Sequence, residues 1–225
     1  MIPVKDTVTS KGIPFATISI IVANLVLFYQ EVKYGQQFIL PFSVSPYDIY
    51  LYLVEGKGLF LGIHKAIFVS GFLHGGYLHI FFNMLFLYVF GPAVENAFGT
   101  ARYVLFYITA VFVSFYTYCL VHPETHIPII GASGAIAAVM GAYLIFYPRA
   151  KIVTIVPIIF FIEIIEVPSV FFMLGWFILQ WANGCARIEN TTHIAWWSHI
   201  GGFTMGLIFS ARYKWYTRHS FTHKR

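Results

Sequence analysis

Four polar side chains stand in stretches that are otherwise apolar: His79, Asn83, Ser133 and His199. His79 and Asn83 lie four residues apart in Tyr77-Leu-His79-Ile-Phe-Phe-Asn83, a spacing that puts both on one face of a helix. Ser133 sits in Gly131-Ala-Ser133-Gly134, and His199 in Trp196-Trp197-Ser198-His199-Ile-Gly201-Gly202. A serine hydroxyl becomes a nucleophile when a neighbouring imidazole takes its proton. Amide and imidazole N–H groups, in turn, stabilise the oxyanion that such an attack creates. Each residue alone has a plainer reading. A serine in a membrane helix bonds its own backbone, and a lone histidine or asparagine joins helices. Only elements that bring all four to one place turn them into a site.

Those elements are helices of a membrane chain. Of 225 residues, 59% are hydrophobic and only 10% charged, against about 25% charged in a soluble domain. A span needs about 20 mostly apolar residues. Six helices are expected near 14–30, 76–95, 103–121, 133–148, 169–183 and 195–212, making an all-α, polytopic bundle without internal repeats. The first run follows Lys5 and Lys11 and has no small-residue cleavage site after it, so it reads as an uncleaved span. Residues 1–13 then form a short cytoplasmic N-terminus, 14–212 the membrane domain, and 213–225 a basic cytoplasmic tail. The stretch 31–75, with Pro41, Pro46, Asp48, Glu55 and four glycines, is too broken to cross and reads as an interfacial loop with short amphipathic pieces.

Segment 152–168 holds Pro157, Glu163, Glu166 and Pro168. A carboxylate near mid-bilayer costs about 2.5–3.5 kcal/mol on insertion scales, so this segment reads as a surface-lying connector. With six spans and the N-terminus inside, ten of the 14 Lys and Arg fall in inner segments and four outside, namely Lys33, Lys57, Lys65 and Arg187. That asymmetry fits the positive-inside rule. It also explains the net charge of +5 without nucleic acid, for which no basic stripe among stacking aromatics is present. Cys119 and Cys185 show no CxxC or ligand-like clustering, so neither a disulfide framework nor a zinc site is expected.

Parity then matters. Ser133 and His199 both begin inward-running helices, and His79 and Asn83 begin the second helix from the same side. All four share a depth. Ser133, Ala137 and Gly141 recur every fourth residue, as do Ser198, Gly202, Gly206 and Ser210. Small residues at that spacing let two backbones approach closely, which would bring the imidazole to the hydroxyl.

The series His74-x4-His79-x3-Asn83, Glu95-x3-Gly99, Gly131-x-Ser133-Gly134 and His199-x2-Gly202-x3-Gly206 resembles the rhomboid protease pattern, in family order, over roughly residues 70–210. The resemblance implies a six-helix intramembrane serine endopeptidase without cofactor or metal. It makes Ser133 the nucleophile and His199 the general base, with His79, Asn83 and the Ser133 N–H as the oxyanion hole and Gly131 beside it. His74 resembles the family's structural histidine, Glu95 an ordering carboxylate in the following loop, and Phe177 with Trp181 an aromatic gate facing Phe82. Two positions depart from the pattern. Lys65 and Ala66 replace a Trp-Arg pair found in some relatives, which suggests a bacterial subgroup and a prokaryotic cytoplasmic membrane. Ala137 replaces an aromatic that supports the base, leaving Trp196 or Trp197 to do so. The outer face should open into a polar cavity that His122, His126 and the stretch before Gly131 could line. The expected partners are the lipid bilayer and single-pass membrane proteins, cut near the outer end of their span. Two other readings compete: a non-cleaving relative that binds membrane clients, and a metal or proton transporter built on His74, His79 and His199.

Overall fold

Glycines set the corners of the bundle. Gly35 (φ 59°) ends the first helix and Gly99 (φ 79°) separates the second long helix from the third. Both lie in the left-handed region that glycine adopts without steric cost. The computed structural model describes residues 1–9, 12–158, 161–186 and 194–222. Its elements run β1 (Ile2–Asp6), α1 (Phe15–Tyr34), α2 (Gln36–Ile39), a 3-10 turn (Leu40–Phe42), α3 (Pro46–Glu55), α4 (Phe60–Ser70), α5 (Tyr77–Phe98), α6 (Thr100–Val121), α7 (Ser133–Phe146), β2 (Lys151–Ile158), β3 (Phe161–Pro168), α8 (Ser169–Cys185) and α9 (Trp196–Thr222). Lys11, Arg187, Lys224 and Arg225, which entered the loop charges, lie outside the described residues.

The chain is mostly helical, and α1, α5 and α6 are long and apolar enough to cross a membrane; α4, α7 and α8 are shorter apolar helices. The expected all-α class needs correction. Among the described residues, three strands form an antiparallel sheet in the order β1-β2-β3. The Ile/Val/Thr-rich run Lys151–Ile158 favours extended backbone because β-branched side chains pack well on a pleated surface. It pairs with Phe161–Pro168, so the connector is a hairpin. Lys151 lies opposite Pro168. The chain thus leaves the connector where it entered it, and the hairpin adds no change of level between α7 and α8. Glu163 and Glu166 are exposed, and Glu166 pairs with Lys151 at 2.8 Å. The start of the N-terminal segment is the sheet's other edge strand, and Asp6 accepts a hydrogen bond from Tyr143 Oη at 2.8 Å.

At the opposite end, the broken stretch 31–75 folds onto the loop before α7. Val44 bridges Ile129, and Gly131 N–H donates to Ser70 O at 2.9 Å. Helix α7 occupies the centre, with every residue from Gly134 to Leu144 buried. Its 14 residues span about 21 Å.

Candidate active site

Ser133 is the first residue of α7, and His199 lies in the first turn of α9. Ser133 Oγ and His199 Nε2 are 2.8 Å apart, within hydrogen-bond reach. The distance follows from how the two helices cross. A Cβ added to Gly202 would overlap the Gly134 carbonyl, one at Gly206 the Ala138 carbonyl, and one at Gly141 the Phe203 carbonyl. Gly202 and Gly206 of one row and Gly141 of the other meet the facing backbone, but the α7 carbonyls at the crossing are those of Gly134 and Ala138, each one residue past the row Ser133-Ala137-Gly141. Close approach is possible only because Gly141, Gly202 and Gly206 carry no Cβ.

The other nitrogen of His199 is also engaged. His199 Nδ1 lies 2.8 Å from Gln180 Oε1, on α8. Gln180 is buried, and its Nε2 donates to the Trp176 carbonyl one turn earlier at 3.4 Å. The Trp176 and Trp196 rings flank the imidazole at 5.9 and 6.1 Å between centroids. Of the two tryptophans expected to support the base, Trp196 touches it edge-on, while Trp197 packs on Trp181 instead. Gln180 and Trp176 were not singled out from the sequence. A lone glutamine in an apolar helix was the available signal: it needs a partner there, and His199 is the polar group within reach.

His79 Nδ1 accepts from the Gly75 N–H at 3.3 Å, which leaves Nε2 as the protonated nitrogen. That edge of the ring faces Gly131. A Cβ on Gly131 would lie 2.9 Å from His79 Nε2 and 3.6 Å from Ser133 Oγ, and its φ of +135° also favours glycine. Asn83 is buried, and its Nδ2 has no acceptor among the described residues. His74 is 1% exposed, with both ring nitrogens unpaired among the described residues, and its ring meets those of His79 and Phe28 edge-on at 5.0 and 6.5 Å. Burial holds the His74 imidazole well below its ordinary range, at about 3. Its backbone N–H donates to the Glu31 carboxylate at 2.9 Å, a contact that the sequence did not suggest.

The family model for the rhomboid domain matches residues 64–216. The chain belongs to the rhomboid family. Among its relatives, a rhomboid protein of Bacillus subtilis is 29% identical over 107 residues, covering 46% of this chain and 53% of that protein. The mitochondrial rhomboid protein 1 of Saccharomyces cerevisiae is 28% identical over 157 residues, covering 67% of this chain and 41% of its own. The mitochondrial RHOMBOID-like protein 12 of Arabidopsis thaliana is 25% identical over 211 residues, covering 87% and 57% respectively. The chain therefore matches about half the length of each relative, and those relatives come from both a bacterium and mitochondria.

Two expectations for this rhomboid chain are corrected by its structure. Glu95 is not in a loop. It lies in the last turn of α5, where its carboxylate accepts from Ala16 N–H, Thr17 N–H, Thr17 Oγ and Thr100 Oγ at 2.8–3.0 Å. Pro14 gives α1 no side-chain cap, so Glu95 satisfies the N–H groups that a helix start leaves open. The gate aromatics make their ring contacts with other partners. Phe177 stacks on Phe203 at 4.8 Å, Trp181 meets Trp197 at 5.7 Å and Phe82 meets Phe81 at 5.3 Å. No ring contact joins Phe82 to Phe177 or Trp181 among the described residues, because those two rings have nearer aromatic partners on α9. A cavity of about 370 Å³ is lined by Glu31, His74, Gly75, Tyr77 and Ile130 among others, mostly apolar groups, and none of Ser133, His199, His79 and Asn83 lines it. His122 and His126 do not line it; they pack on Tyr118 and Tyr47.

Proposed function

We propose that the chain is an intramembrane serine endopeptidase that cuts transmembrane segments of single-pass proteins near the outer end of their span. Membership of the rhomboid family implies an intramembrane serine protease. The observation that carries the reading to this chain's own residues is the 2.8 Å pairing of Ser133 Oγ with His199 Nε2. His199 Nε2 takes the hydroxyl proton as Ser133 attacks the scissile carbonyl, then returns it to the leaving amine. The negative charge on the tetrahedral oxygen falls to the Ser133 N–H at the start of α7, with Asn83 Nδ2 and His79 Nε2–H as side-chain donors. Water then hydrolyses the acyl-enzyme by the same route. Six spans with both termini inside agree with the loop charges, with the hairpin that adds no crossing, and with the pairing of β1 to β2. A prokaryotic cytoplasmic membrane and a mitochondrial setting are both consistent with these features.

A relative that only binds clients would be expected to lack the serine or the histidine, and both are present. In detergent, cleavage of a labelled transmembrane substrate should be abolished by Ser133→Ala, with thermal stability nearly unchanged. A chelator should leave the wild type active, which separates this reading from one built on a metal. Turnover retained by Ser133→Ala would end the protease assignment.

A further inference from the structure

We infer that Gln180 is a positioning residue for the general base, which makes the Ser133–His199 pair a triad whose third member is a neutral amide. The inference rests on the dyad reading above. An imidazole can accept the serine proton at Nε2 only if Nδ1 carries its hydrogen, and the group facing Nδ1 decides which tautomer is present. Gln180 presents either an acceptor or a donor there, depending on how its amide is turned. The Trp176 carbonyl, 3.4 Å from Nε2, decides the matter. A carbonyl accepts and does not donate, so the NH₂ end of the amide must point to it and Oε1 to His199. At 2.8 Å, Oε1 then accepts from Nδ1–H, and Nε2 of His199 is left as the acceptor for Ser133 Oγ–H. One backbone carbonyl on α8 thus sets, through two hydrogen bonds, the proton arrangement at the nucleophile on α7.

A bland alternative is that the glutamine simply satisfies itself in an apolar helix. Its own-helix bond at 3.4 Å is the longer of the two, and without the histidine Oε1 would lie buried beside a tryptophan with no donor among the described residues. Geometry also assigns the two other neighbours of the ring a different task. Trp176 and Trp196 limit its tilt by contact, yet neither can accept from Nδ1–H, since an indole nitrogen only donates. Gln180 is therefore the group that fixes the tautomer, while the tryptophans fix the plane.

The test compares Gln180→Leu, Gln180→Met and Gln180→Glu in the full chain. Measurements are kcat and KM on a transmembrane substrate, the labelling rate of Ser133 by a fluorophosphonate, and thermal unfolding. Gln180→Leu should lower kcat by about 10–100-fold, the loss typical when a partner orienting a functional histidine is removed, with KM unchanged. The labelling rate should fall in parallel. Gln180→Glu keeps an oxygen opposite Nδ1 and should restore kcat to within about tenfold of wild type. Gln180→Met carries the same expectation as Gln180→Leu should the latter not fold. A kcat within threefold of wild type in the Leu and Met variants would overturn the inference, as would equal impairment of the Glu and Leu variants. With Ser133→Ala and His199→Ala inactive in the same assay, either result leaves the dyad standing. Turnover in one of those two would instead remove the reading on which the inference depends.

Discussion

Helices α7 and α9 are joined in a different manner from α5 and α8. The first pair meets through backbone, with Gly202 and Gly206 set against the carbonyls of Gly134 and Ala138. The second meets through rings, Phe86 and Phe90 against Phe172 at 6.4 and 6.0 Å, low in α8 near its first turn. Toward the level of Ser133, Phe82 on one side and Phe177 and Trp181 on the other take separate partners. A backbone contact has no rotamers to yield, whereas aromatic side chains can turn aside. The Ser133–His199 pair lies at the rigid seam, and on the proposed function the adjustable one would meet a substrate arriving from the lipid.

The contrast can be broken from its rigid side first. Gly202→Val should drive α7 and α9 apart, removing measurable cleavage and lowering unfolding stability by about 3 kcal/mol, an overpacking cost; detergent-phase melting and substrate cleavage read both. A variant that kept wild-type turnover would mean the seam does not set the Ser133–His199 distance. Within the site, Asn83→Ala should reduce kcat by about 10²–10³-fold, as loss of one oxyanion donor does, while melting stays near wild type. A fall of less than threefold in both Asn83→Ala and His79→Ala would leave the Ser133 N–H as the sufficient donor.

A third test concerns pH. His74 has a folded value of about 3, below its ordinary 6.5, so the unfolded chain binds the proton first. Stability should therefore be full above about pH 6.5 and decline as pH falls toward 3, by on the order of 5 kcal/mol for this group. Thermal unfolding against pH should show that decline, and His74→Gln should flatten it. At the adjustable side, Trp181→Val should change stability by no more than about 0.5 kcal/mol, because the ring is half exposed. A loss as large as that of Gly202→Val would make the two seams equivalent and dissolve the comparison.

What the sequence disclosed divides along the same line. The rows Ser133-Ala137-Gly141 and Ser198-Gly202-Gly206-Ser210 announce a close crossing because spacing by four is a property of one helix and needs no knowledge of its neighbour. His79, Asn83, Ser133 and His199 were visible because polar groups are costly in such surroundings. Gln180 carried the same cost but stood alone, and only the fold shows that its neighbour is a histidine 19 residues away. The sheet was hidden for another reason. Short Ile- and Val-rich runs fit strand and buried helix alike, and the partner of β2 at the far end of the chain is five residues long. Glu95 was legible only through the family resemblance, as an ordering carboxylate, and not as a cap, since the N–H groups it serves lie 78 and 79 residues earlier.

The brevity of α7 turns the molecule into a ruler. Fourteen residues give about 21 Å, while a bilayer's hydrocarbon layer is about 30 Å thick. On the proposed topology Arg149 and Lys151 hold the lower end of α7 at the inner interface, so the scale starts there and its zero mark, Ser133, stops about 9 Å short of the outer one. On the proposed function a substrate would be read by depth: the bond presented for cutting would be the one that reaches this mark, about three extended residues below the outer boundary. Moving a substrate's span up or down should move the cut along its sequence by the same number of residues, whatever the side chains on either side of it.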